Sequence, residues 1–315
     1  MTTIQRDITQ LADPLGETLY QLRLNGSLYC RSILTAPWGI EMPVIEDKMM
    51  FHIITSGNCW LQVNGEEPYF LRQGALALVP HGRGHRITDE LDVPCEGLFD
   101  IPVDKVSERY EIMHYGGGGK RTEMTCGVVS FDHLAGHHLV AQLPKVLVID
   151  SLGADTDGWL QHTLRFIAQE ARVLKPGGET LITHLADILL IQVIRHWIES
   201  SPEAGEGWLA ALKDKQIGKA LAAIHRHPEQ DWTVEALARE VGMSRSGFSA
   251  RFSELVGDSA KHYLTRLRMQ IARNKLMNSV VPIAIVAEQM GYGSEAAFSR
   301  AFKRCFGFSP SHARH

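Results

Sequence analysis

Over the first 150 residues the apolar positions fall in short runs separated by turn residues. Residues 49–55, 59–63, 75–79 and 127–131 are the clearest runs, and Asn64-Gly65, Pro80-His81-Gly82 and the glycines at 116–119 separate them. Short apolar runs bounded in this way predict strands, and many in succession predict an all-β sandwich or barrel. From 159 to 174, and again from 180 to 200, the period becomes helical. In the second segment Leu181, Leu185, Ile188, Leu189 and Val193 share one face at i, i+3/i+4 spacing. Lys175-Pro-Gly-Gly178 breaks the two apart, so a helical hairpin is expected. Its apolar stripe is wide enough to meet the core or a second copy of the chain, and homodimerisation is expected there. Residues 200–207 read as a linker, and the chain beyond them has a helical period to its end. The pattern thus predicts a multidomain α+β chain: an N-terminal β-barrel over 1–150, a hairpin and linker over 151–207, and an all-α domain over 208–315.

Within the last domain one pattern occurs twice. Ala238 and Gly242 recur as Ala287 and Gly291, 49 residues on. Phe248, Phe252, Gly257 and Ser259 recur as Phe298, Phe302, Gly307 and Ser309, 50 residues on. Each position has a physical reason. The alanine lets one helix pack closely on the next, and the glycine takes the left-handed backbone that ends a helix. Ser244 and Ser294 stand where they can cap the following helix. The phenylalanines, at i, i+4, anchor that helix and turn its other face outward. This is a helix-turn-helix in duplicate, and the outward helix of such a unit reads the major groove of DNA. A connecting helix over 260–277 would be about 27 Å long at 1.5 Å per residue. Roughly 34 Å separates successive major-groove faces, so one chain can reach two grooves with some bending of the DNA.

Charge sharpens the division. Residues 215–315 hold 15 Lys and Arg against 8 Asp and Glu, while residues 1–214 hold 17 against 28. A basic end on an acidic body points to a polyanion partner for that end alone. No run reaches the ~18 apolar residues of a membrane span, and the opening Met1-Thr-Thr-Ile-Gln-Arg-Asp carries no apolar segment, so no membrane association or signal peptide is expected. Five cysteines do not make a disulfide framework. A cytoplasmic protein with reduced thiols is expected.

Each half of the chain carries a family resemblance. Pro282-Ile-Ala-Ile-Val-Ala-Glu-Gln-Met-Gly-Tyr and Phe298-Ser-Arg-Ala-Phe-Lys-Arg-Cys-Phe-Gly-Phe-Ser-Pro310 resemble the signature of the AraC/XylS family of transcription regulators. Residues 266–273 are similar to that family's connecting helix, and coverage runs from about Ile217 to the end. Ala313 departs from the family's usual tyrosine. Residues 51–61, 74–85 and 125–132 resemble the cupin-type sensor domain of one branch of these regulators. Gly74, Pro80, Gly82 and His85 fit the second cupin motif, but the His-x-His pair of the first is missing and His52 alone stands there.

The resemblance implies a DNA-binding regulator whose N-terminal domain responds to a small molecule or to an oxidant or electrophile, with double-stranded DNA and RNA polymerase as partners. Arg245, Ser246, Ser249 and Arg251 on the first reader helix and Glu295, Ser299, Arg300, Lys303 and Arg304 on the second are the expected DNA contacts. Arg300 is suited to a base edge and Lys303 to phosphate. His52, Trp60 and His85 are the expected pocket lining. A catalytic cupin metal needs about three histidines and a carboxylate, and the chain offers His52, His85 and at most His81, so no cofactor and no enzyme activity are expected. A metal at His52 and His85, in a cupin metalloenzyme with an accessory DNA-binding domain, is the alternative. Among the cysteines, Cys59 and Cys305 read as packing thiols. Cys30, beside Arg31, and Cys126, after Lys120-Arg121 and the glycine run, form the expected redox pair, on the argument that basic neighbours favour thiolate.

Overall fold

The structure, a computed structural model, describes residue 16 and residues 25–46, 48–130, 139–149, 158–173, 175–202 and 207–314. The expected strand end at Phe131, the helix end at Leu174 and linker residues 203–206 lie outside these. Two compact units emerge, one of residues 24–131 and 143–200, the other centred on 201–315.

The first unit is built on twelve strands: β1 (Asn25–Thr35), β2 (Gly39–Met42), β3 (Lys48–Ser56), β4 (Asn58–Val63), β5 (Tyr69–Arg72), β6 (Leu76–Val79), β7 (His85–Thr88), β8 (Glu96–Gly97), β9 (Val103–Lys105), β10 (Tyr110–Gly116), β11 (Arg121–Ser130) and β12 (Leu147–Ile149). They form a seven-stranded sheet in the order β12-β6-β3-β11-β1-β10-β9 and a five-stranded sheet in the order β5-β4-β7-β2-β8. The expected barrel is therefore open. Edge strands such as β8 and β9 are only two or three residues long, and the two sheets meet through side chains rather than through a closing ladder. Their shared core includes Leu34, Ile40, Leu61, Ala77, Val79 and Ile87. The glycine run at 116–119 is no loose hinge. A Cβ on Gly116, whose φ is +122°, would lie 1.9 Å from the Thr35 carbonyl oxygen, and one on Gly117 would meet the Pro37 ring.

Strand alternation gives the large sheet two functions. Even positions of β1 face the small sheet. Tyr29, fully buried beside Phe51, faces the hairpin formed by α1 (Trp159–Arg172) and α2 (Gly178–Ser200), which contact β3, and β1 with β12, respectively. Helix α2 is long and apolar enough by composition to cross a membrane. Its burial pattern accounts for that apolarity: Ile182, Leu189, Leu190, Val193 and Ile194 are buried within the unit. The expected stripe divides accordingly, with Leu189 and Val193 in the core and Leu181 and Ile188 about half exposed.

The second unit is helical: α3 (Gly207–Lys213), α4 (Ile217–Arg226), α5 (Val234–Glu240), α6 (Arg245–Val256), α7 (Ala260–Asn278), α8 (Ile283–Gln289) and α9 (Glu295–Phe306). α5–α6 and α8–α9 are the two copies of the repeat. α7 joins them, placing Tyr263 against Phe252 in the first copy and Met269, Ala272 and Leu276 in the core of the second. The copies are also clamped together. Arg268 of α7 donates to the carbonyls of Pro228 (2.6 Å) and Gln230 (2.8 Å). Gly291, in the turn of the second copy at φ +76°, lies so close that a Cβ would stand 2.7 Å from the Glu229 carbonyl oxygen.

Candidate functional site

The reader helices are fixed by the residues the repeat singled out. Ser244 Oγ accepts from the Gly247 N–H and Ser294 Oγ from the Ala297 N–H, each at 3.2 Å. Phe248, Phe252, Phe298 and Phe302 are fully buried. With those rings inward, Arg245, Ser246, Ser249 and Arg251 are exposed on α6. On α9 Glu295, Arg300, Lys303 and Arg304 are exposed and Ser299 is half-buried. Arg251 already has partners within the unit. Its guanidinium pairs with Asp214 (3.2 Å) and Glu254 (3.0 Å), so it braces α6 against the start of α4 instead of offering a free donor. Arg245 pairs with Glu235 at 2.7 Å, both largely exposed, a contact cheap to break. Among the described residues no ion pair engages Arg300, Lys303 or Arg304. Cys305, expected to be a buried packing thiol, is exposed beside them.

In the first unit the backbone register brings together what the sequence keeps far apart. Cys30 lies directly opposite Cys126 in the β1–β11 pair, and Cys126 directly opposite His52 in the β11–β3 pair. Directly opposed residues point to the same face of a sheet with Cα atoms about 4.5–5.5 Å apart, inside the range a disulfide needs. Both cysteines are free thiols. Glu111 continues the row beyond Cys30.

A directed chain of hydrogen bonds runs inward from Cys126. Its Sγ lies 3.1 Å from His52 Nδ1, His52 Nε2 lies 2.8 Å from His85 Nε2, and His85 Nδ1 lies 3.1 Å from the Arg83 carbonyl. That carbonyl only accepts, so His85 carries its proton on Nδ1 and its Nε2 accepts. His52 must then donate from Nε2 and accept at Nδ1, where the Cys126 thiol donates. With both imidazoles neutral, every donor in the row has an acceptor. Burial agrees: it lowers His52 well below the usual histidine range, with His85 adding to the effect, and lowers His85 to about 4.

The basic neighbours named from sequence do not activate the thiols. Arg31 pairs with Glu123 at 3.0 Å, and Lys120 donates to Asn58 Oδ1 at 2.9 Å. Burial pushes Cys30 up to about 11 and Cys126 well above the ordinary thiol value. What Cys126 has instead is a base, His52, within hydrogen-bond reach. Cys95, which follows Pro94 and precedes Glu96, has a basic partner of its own: its sulfur accepts from Arg86 Nε at 3.1 Å.

Beside the row lies a cavity of about 40 Å³, lined by Cys30, His52, Glu111 and Cys126 and by Met42, Met50, Met113 and Met124 among others. Small-molecule sites run to roughly 300–1,000 Å³, so this one has room for a few waters. Of the expected lining, His52 is present and His85 stands behind it. Trp60 is elsewhere: strand alternation in β4 turns Cys59 and Leu61 into the core and Trp60 out against Phe70, with ring centroids 4.8 Å apart. The residues do not fit a cupin metal. His52 and His85 spend their facing nitrogens on each other, Cys126 reaches the opposite side of the His52 ring, and His81 donates to the Leu143 carbonyl. Among the described residues no three His, Cys, Asp or Glu side chains converge to hold an ion.

Comparison with known proteins bears on both units. Residues 13–199 match the model of a cupin family, and residues 237–315 match that of a helix-turn-helix domain. A protein of Streptomyces antibioticus named as an AraC-like transcription regulator is 33% identical over 96% of this chain and 98% of its own length. The HTH-type transcriptional regulator AlkR of Acinetobacter baylyi is 30% identical over 96% of this chain and 99% of its own. RclR of Escherichia coli, named as an RCS-specific HTH-type transcriptional activator, is 27% identical over 96% and 97%.

Proposed function

Because the chain belongs to the AraC-like transcription regulators, DNA-binding proteins that here carry a cupin domain ahead of the helix-turn-helix domain, we propose that it is switched by oxidation of Cys30 and Cys126 to a disulfide. The observation that carries this reading is their position directly opposite each other on β1 and β11. With a peroxide as oxidant, the Cys126 sulfur attacks one peroxide oxygen while its proton passes to His52 Nδ1. Water leaves and a sulfenic acid remains. The Cys30 sulfur displaces the sulfenic oxygen as a second water, so two thiols and one peroxide give one disulfide and two waters. The crosslink ties neighbouring strands of the large sheet, whose other face carries α2. A small-molecule effector in the cupin domain is the lesser reading, since the cavity holds only about 40 Å³.

On this reading the protein is a regulator and not an enzyme, works in the cytoplasm and meets RNA polymerase at its promoters. Arg245, Ser246 and Ser249 on α6 and Glu295, Ser299, Arg300, Lys303 and Arg304 on α9 face the DNA. Two copies pair through the exposed apolar side of α2, at Leu181 and Ile188.

Titration of the full chain with hydrogen peroxide tests the switch. Two free thiols should disappear together, and a Cys30→Ser, Cys126→Ser variant should still bind its operator but no longer respond to oxidant in a reporter strain. A variant that keeps the full response removes the proposal. For the dimer, Ile188→Glu should shift the protein to monomer in sedimentation. A wild-type chain already monomeric at micromolar concentration excludes it.

A further inference from the structure

We propose that the groove between α7 and α9 seats the DNA phosphate backbone where it passes between the two reader contacts, with Lys261 and Arg266 of α7 as phosphate ligands. This rests on the DNA-binding reading above and extends it to a surface outside the reader helices.

The groove has a volume of about 850 Å³. Lys261, Thr265 and Arg266 line it from the first turns of α7, and Ala297, Arg300 and Arg304 from α9. Small residues keep it open, because Thr265 on one wall and Ala297 and Ala301 on the other cannot reach across. Four Lys and Arg side chains line this concavity and no Asp or Glu does. Like charges around a low-dielectric concavity repel one another and focus a positive potential on whatever enters. A purely structural role for these residues would call for carboxylates among them. Asp258, which is not among the lining residues, takes His262 Nδ1 at 2.8 Å and reaches Arg266 at 3.9 Å. Lys261 is exposed, and among the described residues no ion pair engages it. The start of α7 adds backbone N–H groups to the same wall: Ser259 caps it by accepting from the His262 N–H at 3.3 Å, and a helix start favours anions.

Continuity with the reader identifies the occupant. Arg300 and Arg304 belong to α9, so a duplex lying on that helix brings its backbone to the mouth of the groove. The repeating anion of DNA also matches four cations spread along one groove better than a single small anion does. Phosphate contacts position a protein without reading sequence, so these residues should act alike on every DNA.

The experiment is a salt titration of DNA affinity with the full chain, on operator and on unrelated duplex. Each phosphate contact contributes a slope of about 0.9 in log K against log salt. Lys261→Ala with Arg266→Ala should therefore flatten the slope by about 1.8 and weaken both DNAs by the same factor. Arg266→Lys in the Lys261 wild-type background should keep the slope, which separates lost charge from disturbed folding. Arg300→Ala serves as the reference for the underlying reading, since it should alter base preference. An unchanged slope in the double variant, with Arg300→Ala still weakening operator binding, overturns the groove proposal and leaves the DNA-binding reading intact. Inorganic phosphate at constant ionic strength should displace DNA from the wild type more readily than from the double variant; phosphate that binds the wild type through these residues without displacing DNA would make the groove a discrete anion site and also overturn it.

Discussion

The two units handle polar chemistry in opposite ways. The helical unit turns its charges outward over a core of phenylalanines, so Arg300, Lys303 and Arg304 keep their hydration until a partner arrives. The cupin unit turns its reactive groups inward. Cys30, Cys126, His52 and His85 are all buried, and the low-dielectric interior holds them uncharged. Exposed cations recognise a partner by charge with little cost to folding. Buried neutral groups are poised instead, because any event that charges or joins them must change the energy of the fold.

Four measurements bear on this contrast, from the largest effect to the smallest. Phe298→Ala should cost about 3–5 kcal/mol in urea unfolding and abolish DNA binding, and Phe252→Ala should match it if the two copies carry equal load. A cost under about 1 kcal/mol at either position would show that its ring does not anchor the helix. Acid should act on the cupin unit. Unfolded histidines take up a proton near 6.5, whereas folded His85 resists until about 4. The stability this contributes is complete above 6.5 and drains away as pH falls to about 4, on the order of 3 kcal/mol. Asp187 of α2 opposes the loss over part of that window. Burial raises it from 3.8 to about 6, so it gains a proton on folding and stabilises the unit as pH falls below about 6. Asp187→Asn should therefore steepen the decline between pH 6.5 and 4, and a flat profile in that variant would contradict the neutral histidine pair.

On the outer surface, Arg300→Ala should cost about 1–3 kcal/mol on the operator and relax one base position, while Lys303→Ala weakens all sequences alike. Gel shifts with operator and competitor DNA separate the two, and equal losses on both DNAs for Arg300→Ala would make it a phosphate contact. Ser244→Ala and Ser294→Ala should each cost about 1 kcal/mol. Thermal melts in which only one variant loses stability would show that the copies are not equivalent.

The helix-turn-helix was legible because its determinants are local. A glycine at positive φ, a serine cap and phenylalanines at i, i+4 all lie within a few turns of one another. The cupin unit depends on register, which no local pattern carries. Cys30 and Cys126 were paired from sequence by their basic neighbours, yet Arg31 and Lys120 are engaged elsewhere, and strand pairing is what sets the thiols side by side. The His52–His85 contact joins strands of different sheets, so nothing in the spacing of the two residues announced the proton chain. The pairing of Arg251 was out of reach for a related reason, since Asp214 lies 37 residues upstream. Trp60 was a matter of phase: one position along β4 separates the core from the surface.

The clamp of Arg268 and Gly291 on the 228–230 loop turns the helical unit into a gauge. With the two helix-turn-helix units held at one separation and one angle, the protein should discriminate between operators by the length of duplex between their targets as well as by the bases in each. DNA repeats about every 10–10.5 base pairs. An operator with about five base pairs inserted at its centre, half of that repeat, would present the second target on the far side of the helix. A full-turn insertion would restore the face but not the distance. Tolerance of such insertions should then depend on the 228–230 loop, which lies outside both reader helices.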